Sequence, residues 1–149
     1  MAVKKSRGDI DKFDFLVRQA KIAREHSYSP YSHFKVGAAL LAKSGEIYLG
    51  ANIESDIYRA THAEKCALDR AVFAGEREFK AIAIVGDCPV PLYPCGQCLQ
   101  DLSEYDNHNK GSLIIIPANL KGLHHIRTLA ELLPVRFTPI SLGIDPRKY

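Results

Sequence analysis

The sequence has no apolar run that is long enough to cross a membrane. Its purest apolar segments, residues 81–85 and 113–116, have the length of single strands, whereas a membrane-spanning helix needs about 20 apolar residues. Basic residues occur near the N-terminus, but no apolar stretch follows them within residues 1–13, so the pattern of a secretory signal is absent. We therefore expect a cytoplasmic protein with no membrane partner.

The sequence has few cysteines and a small net charge. Four cysteines among 149 residues, Cys66, Cys88, Cys95 and Cys98, are too few for a disulfide-stabilised scaffold. Metal ligation or thiolate chemistry is therefore the better interpretation of these thiols. The 20 basic and 17 acidic residues leave a formal net charge of +3, which neither requires nor excludes a nucleic-acid partner.

The composition is that of an ordinary globular protein, with 46% hydrophobic and 25% charged residues. The chain has no repeat, no low-complexity tract and no linker rich in proline, glycine or serine. A chain of 149 residues has the length of one domain. We expect a single domain over residues 1–149, with its core between about residues 9 and 142.

The spacing of apolar residues predicts helices alternating with strands after an opening hairpin. The predicted helices cover residues 10–23, 62–75, 95–105 and 128–133, and the predicted strands cover residues 34–42, 46–51, 79–86, 112–117 and 135–141. Residues 87–94 contain three prolines and are predicted to form a loop. The simplest packing of this order is an α/β fold, a three-layer α/β/α sandwich around one mixed β-sheet.

Two short motifs contain residues that suit a metal site. A His-Ala-Glu motif begins at His62, and a Pro-Cys-Gly-Gln-Cys motif ends at Cys98. A catalytic zinc ion takes three protein ligands from histidine, cysteine or carboxylate and leaves the fourth position to water. His62, Cys95 and Cys98 form such a set, and Glu64 is close enough to reach the water without coordinating the metal. The sequence therefore predicts a catalytic zinc site.

Both ligand groups also fall where helices are predicted to begin. His62 follows the hydroxyl residue Thr61, and Cys95 follows Pro94. The N-terminal ends of two helices would then point at the site and favour negative charge there. Two thiolates and one neutral imidazole would also balance the charge of Zn²⁺.

Each motif alone is open to other interpretations. A Cys-x-x-Cys pair also occurs as a redox pair or as buried thiols, and Cys66, four residues after His62, is interpreted as a core residue. The adjacent His124 and His125 lack partners at ligand spacing and are interpreted as loop surface. Together and in this order, however, the two motifs match the signature of zinc-dependent nucleobase deaminases.

The chain from about Tyr28 to Phe137 resembles the short-chain, homotetrameric cytidine deaminases. The motifs that carry the resemblance, in family order, are Ser29-Pro30-Tyr31-Ser32-His33-Phe34, Val36-Gly37-Ala38-Ala39, Asn52-Ile53-Glu54, His62-Ala63-Glu64, Pro94-Cys95-Gly96-Gln97-Cys98, and Glu131-Leu132-Leu133-Pro134 with Phe137. The resemblance implies hydrolytic deamination of cytidine and 2′-deoxycytidine to uridine and 2′-deoxyuridine, with release of ammonia, as in pyrimidine salvage. It also implies one Zn²⁺ per subunit.

The resemblance further implies roles for individual residues. Glu64 would take a proton from the attacking water, deliver it to N3 of the pyrimidine and help to protonate the departing amine. Asn52 and Glu54 match positions that hydrogen-bond the ribose 3′-hydroxyl. Phe34 matches a position that lines the base pocket, and Ala63 is implied to be a further substrate-binding residue.

One aromatic residue is implied to act in another subunit. Phe137 matches a position that stacks on the base from a neighbouring subunit. The resemblance therefore implies a homotetramer with shared active sites. The expected ligand is a small-molecule nucleoside rather than a nucleic acid.

The chain departs from the family pattern around the metal motifs. His62 stands where a cysteine is common, and Lys65 and Leu99 stand where the family has arginine. A histidine ligand removes one thiolate, so the loss of the arginine charges is electrostatically coherent. Tyr93, before Pro94, stands where a small hydroxyl residue is usual, which bears on substrate breadth.

Two alternatives remain at the level of sequence. A deaminase of the same fold could act on a modified cytosine nucleoside, such as an aminonucleoside antibiotic, or on a base in RNA or DNA. A non-catalytic, zinc-stabilised binding module would need a fourth protein ligand, for which Cys66 is the obvious candidate. Such a module would leave Glu64 without a purpose.

Overall fold

The structure, a computed structural model, describes residues 7–106 and 111–149. Its helices are α1 (Arg7–Arg24), α2 (Ala63–Phe73), α3 (Gly96–Glu104) and α4 (Leu129–Leu132), and 3₁₀ turns follow at Pro139–Leu142 and Pro146–Lys148. Its strands are β1 (Val36–Ala42), β2 (Ile47–Ala51), β3 (Ile53–Glu54), β4 (Ala60–Thr61), β5 (Phe79–Gly86), β6 (Ile114–Asn119) and β7 (Arg127–Thr128).

The main sheet has the strand order β2-β1-β5-β6-β7. Strands β5 and β6 are parallel, and the other neighbouring pairs are antiparallel. The sheet is therefore mixed, and β5 is its central strand. Its burial on both faces from Ala81 to Gly86 explains the continuous apolar sequence of that part of the strand.

Alternate residues of the central strands pack against different helices, as the pleat of a sheet requires. One face, with Leu40, Ile82 and Ile84, packs against α2 and α3. The opposite face, with Ala83 and Val85, packs against α1. The predicted α/β fold with three layers around a mixed sheet is confirmed.

Two glycines let helices approach the sheet closely. A Cβ atom at Gly37 in β1 would collide with the backbone of α1 at Ala20 and Arg24. A Cβ atom at Gly50 in β2 would collide with the carbonyl oxygen of Ala63 and the amide nitrogen of Ala67 in α2. The position of α2 against the sheet therefore depends on a residue without a side chain.

Two details differ from the sequence prediction. Residues 135–141 form no strand; they contain an irregular segment and the start of the 3₁₀ turn, while β7 pairs with the start of β6. A small second sheet of β3 and β4 was not predicted, because two-residue strands are too short to show alternation. Within the described part of the chain, no helix has both the length and the apolar character that a membrane span needs.

Candidate active site

Two helices begin at the candidate metal ligands. His62 is the N-cap of α2, and Cys95 is the N-cap of α3. The sulfur of Cys95 accepts a hydrogen bond from the Cys98 amide at 3.5 Å. The His62 side chain makes no capping bond and presents its Nδ1 atom to the two sulfurs. The helix starts thus fall where the sequence predicts them.

The three donor atoms have the spacing of a tetrahedral metal site. The Nδ1 atom of His62 lies 3.4 Å from Sγ of Cys95 and 3.3 Å from Sγ of Cys98, and all three atoms lie within 4.8 Å of one another. Neighbouring donors around a tetrahedral zinc ion are about 3.6–3.8 Å apart, given the usual zinc–sulfur and zinc–nitrogen bond lengths. The residues therefore fit zinc.

The surroundings of Cys98 support the same conclusion. Burial raises the pKa of the Cys98 thiol, and the negative charge of Glu64 raises it further. A thiolate at this position thus requires a cation beside it. Cys66 is half-buried and lies outside the cluster of candidate ligands that the described residues form, which leaves three protein ligands and an open fourth position.

Glu64 lies in the first turn of α2, beside the metal ligands. It is 6% exposed and lines the same pocket as His62 and Cys95. Burial raises the pKa of Glu64, and its own backbone N–H, His62 and a hydrogen bond from Cys98 oppose that effect. A carboxyl group in such surroundings can both accept and return a proton.

The pocket beside these residues has a volume of about 300 Å³. It contains most of the site residues that the sequence predicts. Its lining consists of Ser32, Phe34, Val36, Asn52, Glu54, Ala60, His62, Ala63, Glu64, Leu92, Tyr93 and Cys95. A larger cavity of about 560 Å³ lies between α1 and the sheet, but no cysteine or histidine lines it.

Asn52 is buried and connects two segments of the pocket wall. Its Oδ1 atom accepts hydrogen bonds from the Val36 amide at 2.8 Å and from the Ser27 hydroxyl at 2.6 Å. Its Nδ2 atom donates to the carbonyl oxygen of Phe34 at 2.8 Å. Both lone pairs of the amide oxygen are therefore in use, and one N–H of Nδ2 is left for a ligand.

Glu54 is held as an acceptor at the same end of the pocket. Its Oε2 atom accepts the backbone N–H groups of Tyr31 at 2.9 Å and Ser32 at 3.2 Å. A hydrogen bond from the Ser32 side chain is the largest effect that lowers the pKa of Glu54. The carboxylate is therefore ionised at neutral pH and can only accept hydrogen bonds from a ligand.

The apolar wall of the pocket depends on Gly86, the last residue of β5. A Cβ atom there would overlap with the side chain of Leu92 and lie 3.3 Å from Cζ of Phe34. Leu92 is not among the predicted site residues, because none of the motifs in the sequence includes it. Tyr93, beside it, holds His125 through a 2.8 Å contact between its hydroxyl and Nδ1.

Two predicted site residues do not line this pocket: Cys98, which lies beside it in the metal cluster, and Phe137. Phe137 lies in the irregular segment between α4 and the 3₁₀ turn at Pro139–Leu142. Its side chain is 57% exposed. The pocket of a single chain therefore forms without it.

The residues that replace family arginines have clear structural positions. Lys65 forms an ion pair with Asp69 on the surface of α2, and this contact is the main cause that raises the pKa of Lys65. Leu99 is buried in the core between α3 and the sheet. Neither residue supplies a positive charge to the cysteine sulfurs.

Comparison with known proteins gives a consistent picture. Residues 11–110 match the model of the "Cytidine and deoxycytidylate deaminase zinc-binding region". A cytidine deaminase of Sporosarcina psychrophila is 47% identical over 136 residues, which are 91% of this chain and 96% of that protein. A cytidine deaminase of Halalkalibacterium halodurans is 44% identical over 124 residues, 83% of this chain and 92% of that protein.

Solved structures are similar over nearly the same length. The crystal structure of cytidine deaminase from Burkholderia pseudomallei is 40% identical and has a TM-score of 0.77, over 83% of this chain and 97% of that one. The crystal structure of cytidine deaminase from Mycobacterium tuberculosis is 32% identical with a TM-score of 0.71, over 84% and 96% of the two chains.

Proposed function

The chain belongs to the cytidine and deoxycytidylate deaminase family and is a zinc-dependent cytidine deaminase, and from this premise we propose how its residues act. The proposal is based on one observation: a single pocket is lined by the metal ligands His62 and Cys95, the buried Glu64, and the polar pair Asn52 and Glu54. A nucleoside fits this arrangement with its base at the metal end and its sugar at the polar end.

Glu64 moves the protons of the reaction. His62, Cys95 and Cys98 would hold the zinc ion, which would lower the pKa of a water molecule beside the base. The Glu64 carboxylate accepts a proton from this water and delivers it to N3 of the pyrimidine, while the water oxygen forms a bond to C4. Glu64 then takes the remaining proton of that oxygen and delivers it to the C4 amine, and the C4–N bond breaks, so that cytidine and water give uridine and ammonia. One carboxyl group thus acts first as a base and then as an acid.

Asn52 and Glu54 recognise a free ribose hydroxyl. Asn52 has one N–H to donate, and the ionised Glu54 can only accept, so the pair matches a hydroxyl that accepts from one and donates to the other. A 3′-phosphodiester has no proton to donate and would meet the negative charge of Glu54. This supports cytidine and 2′-deoxycytidine, which share the 3′-hydroxyl, and argues against RNA or DNA.

Phe34 and Ala63 contact the base. Phe34 belongs to the apolar wall with Leu92. Ala63 is the first residue of α2, and the N–H groups of a first helical turn have no partner within the helix. Its backbone N–H is therefore suited to donate to the carbonyl oxygen O2 of the pyrimidine.

The remaining part of the site comes from a second subunit of a homotetramer. Phe137 is exposed, and Val135, Ile140 and Leu142 near it are also exposed, from 62% to 87%. An exposed apolar cluster of this kind is typical of a surface that is covered by a partner. We assign Phe137 to the pocket of a neighbouring copy, where its ring stacks on the base.

Subunit mixing tests this assignment. Phe137→Ala alone should lower kcat/KM for cytidine roughly 5- to 150-fold, the cost of losing one base–aromatic stack. Co-expression with Glu64→Gln subunits should restore about a quarter of wild-type activity, because one site in four combines Glu64 with an intact Phe137 from its neighbour. Sedimentation should give a tetramer. Activity no higher than the sum of the two parents would contradict a shared site.

We also propose one deaminase domain over residues 1–149 and a cytoplasmic enzyme of pyrimidine salvage. The reaction consumes a free nucleoside, which supports the salvage assignment. The rival zinc module is not favoured, because the candidate ligands leave an open position. A deaminase of modified nucleosides or of nucleic acid is likewise not favoured.

The decisive experiment follows the fall in ultraviolet absorbance with cytidine, 2′-deoxycytidine, CMP and adenosine separately, with zinc measured on the same sample. We expect turnover of the two cytosine nucleosides alone and one zinc per subunit. Turnover of CMP at the rate of cytidine would mean that the site tolerates a 5′-phosphate. Turnover of cytidine 3′-monophosphate at the rate of cytidine would leave the reaction intact and contradict the proposed recognition of the 3′-hydroxyl. Absence of zinc from an active enzyme would contradict the mechanism.

A further inference from the structure

The segment that carries Phe137 has no regular secondary structure, yet α3 and the turn that follows it hold the segment at two consecutive residues. The side chain of Gln100, in α3, donates from Nε2 to the carbonyl oxygen of Phe137 at 2.9 Å. The same amide group donates to the hydroxyl of Ser103, one turn further along, at 3.0 Å. This second bond fixes the rotamer of Gln100 and directs its amide to the segment.

The second contact is a buried ion pair. Nη1 of Arg136 lies 3.3 Å from Oδ2 of Asp106, with side-chain exposures of 15% and 0%. The other oxygen of Asp106 accepts the backbone N–H of Leu113 at 2.9 Å. A buried ion pair contributes little to the free energy of unfolding, because the cost of desolvating the two charges offsets their attraction. Its best-attested role is to favour one conformation or register of the chain over others.

These contacts give neighbouring residues opposite environments. Arg136 is paired with the buried Asp106, while the side chain of Phe137 is 57% exposed and does not line the pocket of its own chain. Helix α3 carries Cys95 at its N-cap and Gln100 in its middle, and Asp106 follows its last turn. One rigid element therefore locates both the metal-binding sulfurs and the segment of Phe137.

We propose that Gln100 and the Asp106–Arg136 pair are positioning residues, which fix the direction in which the Phe137 side chain projects from the surface of its subunit. The inference rests on the proposed role of Phe137 in a neighbouring site. Loss of either contact leaves the metal site intact and lets the ring occupy several positions. Substrate binding then weakens, while the proton transfers by Glu64 are unchanged.

A double-mutant cycle tests the proposal in the zinc-loaded enzyme. Gln100→Leu keeps the volume of the side chain and removes the donor, and we expect KM for cytidine to rise about fivefold, the effect of one lost hydrogen bond. The value of kcat should stay within about twofold of the wild type. Zinc content and melting temperature should match those of Gln19→Leu, the same substitution in α1 on the opposite face of the sheet.

Asp106→Asn, which keeps an oxygen for the Leu113 amide, should raise KM in the same way.

The double variant of Gln100→Leu and Phe137→Ala should have the KM of Phe137→Ala alone, since the donor has no ring left to position. Additive effects of the two substitutions would overturn the inference. The inference would also be overturned if Gln100→Leu left KM unchanged while Phe137→Ala raised it. That result would be consistent with the proposed role of Phe137. An unchanged KM for Phe137→Ala would overturn that role and the inference with it.

Discussion

Replacing Glu64 by glutamine is expected to lower kcat for cytidine by about two to four orders of magnitude, the usual contribution of a general acid–base group. Glutamine has nearly the shape of glutamate but can neither accept the proton of the water nor pass it to N3. Zinc should remain at one ion per subunit, because Glu64 is not among the three ligand atoms. The measurement pairs the absorbance assay with metal analysis of the same preparation.

The control for this variant is Glu25→Gln, a similar change at an exposed carboxylate that contacts Arg24. It should leave kcat and KM unchanged. If Glu64→Gln kept a tenth or more of wild-type kcat with full zinc, the role of proton carrier would be wrong. Loss of zinc together with activity would instead mean that Glu64 supports the metal ligands, and it would also contradict the proposed role.

The second large effect is expected from Gly50→Ala. The added Cβ atom would collide with backbone atoms of α2 at Ala63 and Ala67, and backbone cannot move aside as a flexible side chain can. We expect the free energy of unfolding to fall by about 3 kcal/mol, the upper part of the usual cost of overpacking. Because His62 is the N-cap of α2, displacement of the helix should also separate the histidine from the two sulfurs.

Two glycine substitutions serve as controls for Gly50→Ala. Gly37→Ala should destabilise the protein similarly, since its Cβ meets the backbone of α1, but this helix carries no metal ligand. Gly96→Ala should be tolerated, since its Cβ would meet no atom within 4 Å apart from its chain neighbours and the backbone of its own helix. Unfolding in urea with zinc and with a chelator separates the effects, because metal that binds the folded state adds to its stability.

The expected pattern is specific to the site. The difference in unfolding free energy between zinc-loaded and chelated protein should shrink for Gly50→Ala and persist for Gly37→Ala and Gly96→Ala. An undiminished difference for Gly50→Ala would mean that α2 keeps its place against β2. The close contact would then not be needed for the geometry of the metal site.

Much of this molecule could be predicted because its signals are local. Helices α1 and α2 follow from apolar spacing, and β5 follows from a short run that is apolar on both faces. The metal site was predictable because α3 brings Cys95 and Cys98 together within one turn. Only the approach of His62 from another helix required the fold, and the conserved order of motifs in the family supplied that information.

The errors and omissions came from contacts between distant residues. Val135 and Phe137 alternate as in a strand, but β7 takes the place beside β6 and leaves these side chains exposed. No pattern in the sequence indicates that Gln100 binds the backbone of Phe137, 37 positions away. The pairing of Lys65 with Asp69 is by contrast a local contact between residues four apart on α2, which helical spacing allows.

The hydrogen bonds of Asn52 also bear on how the enzyme could be redesigned. Its amide oxygen holds Val36 and Ser27, so a change at this position would disturb the pocket together with sugar recognition. Glu54 lies on a small two-stranded ribbon, and the turn that follows it, residues 55–59, is exposed or half-buried. Directed evolution toward nucleosides with altered sugars should therefore accumulate changes at residues 54–59 and preserve Asn52 throughout.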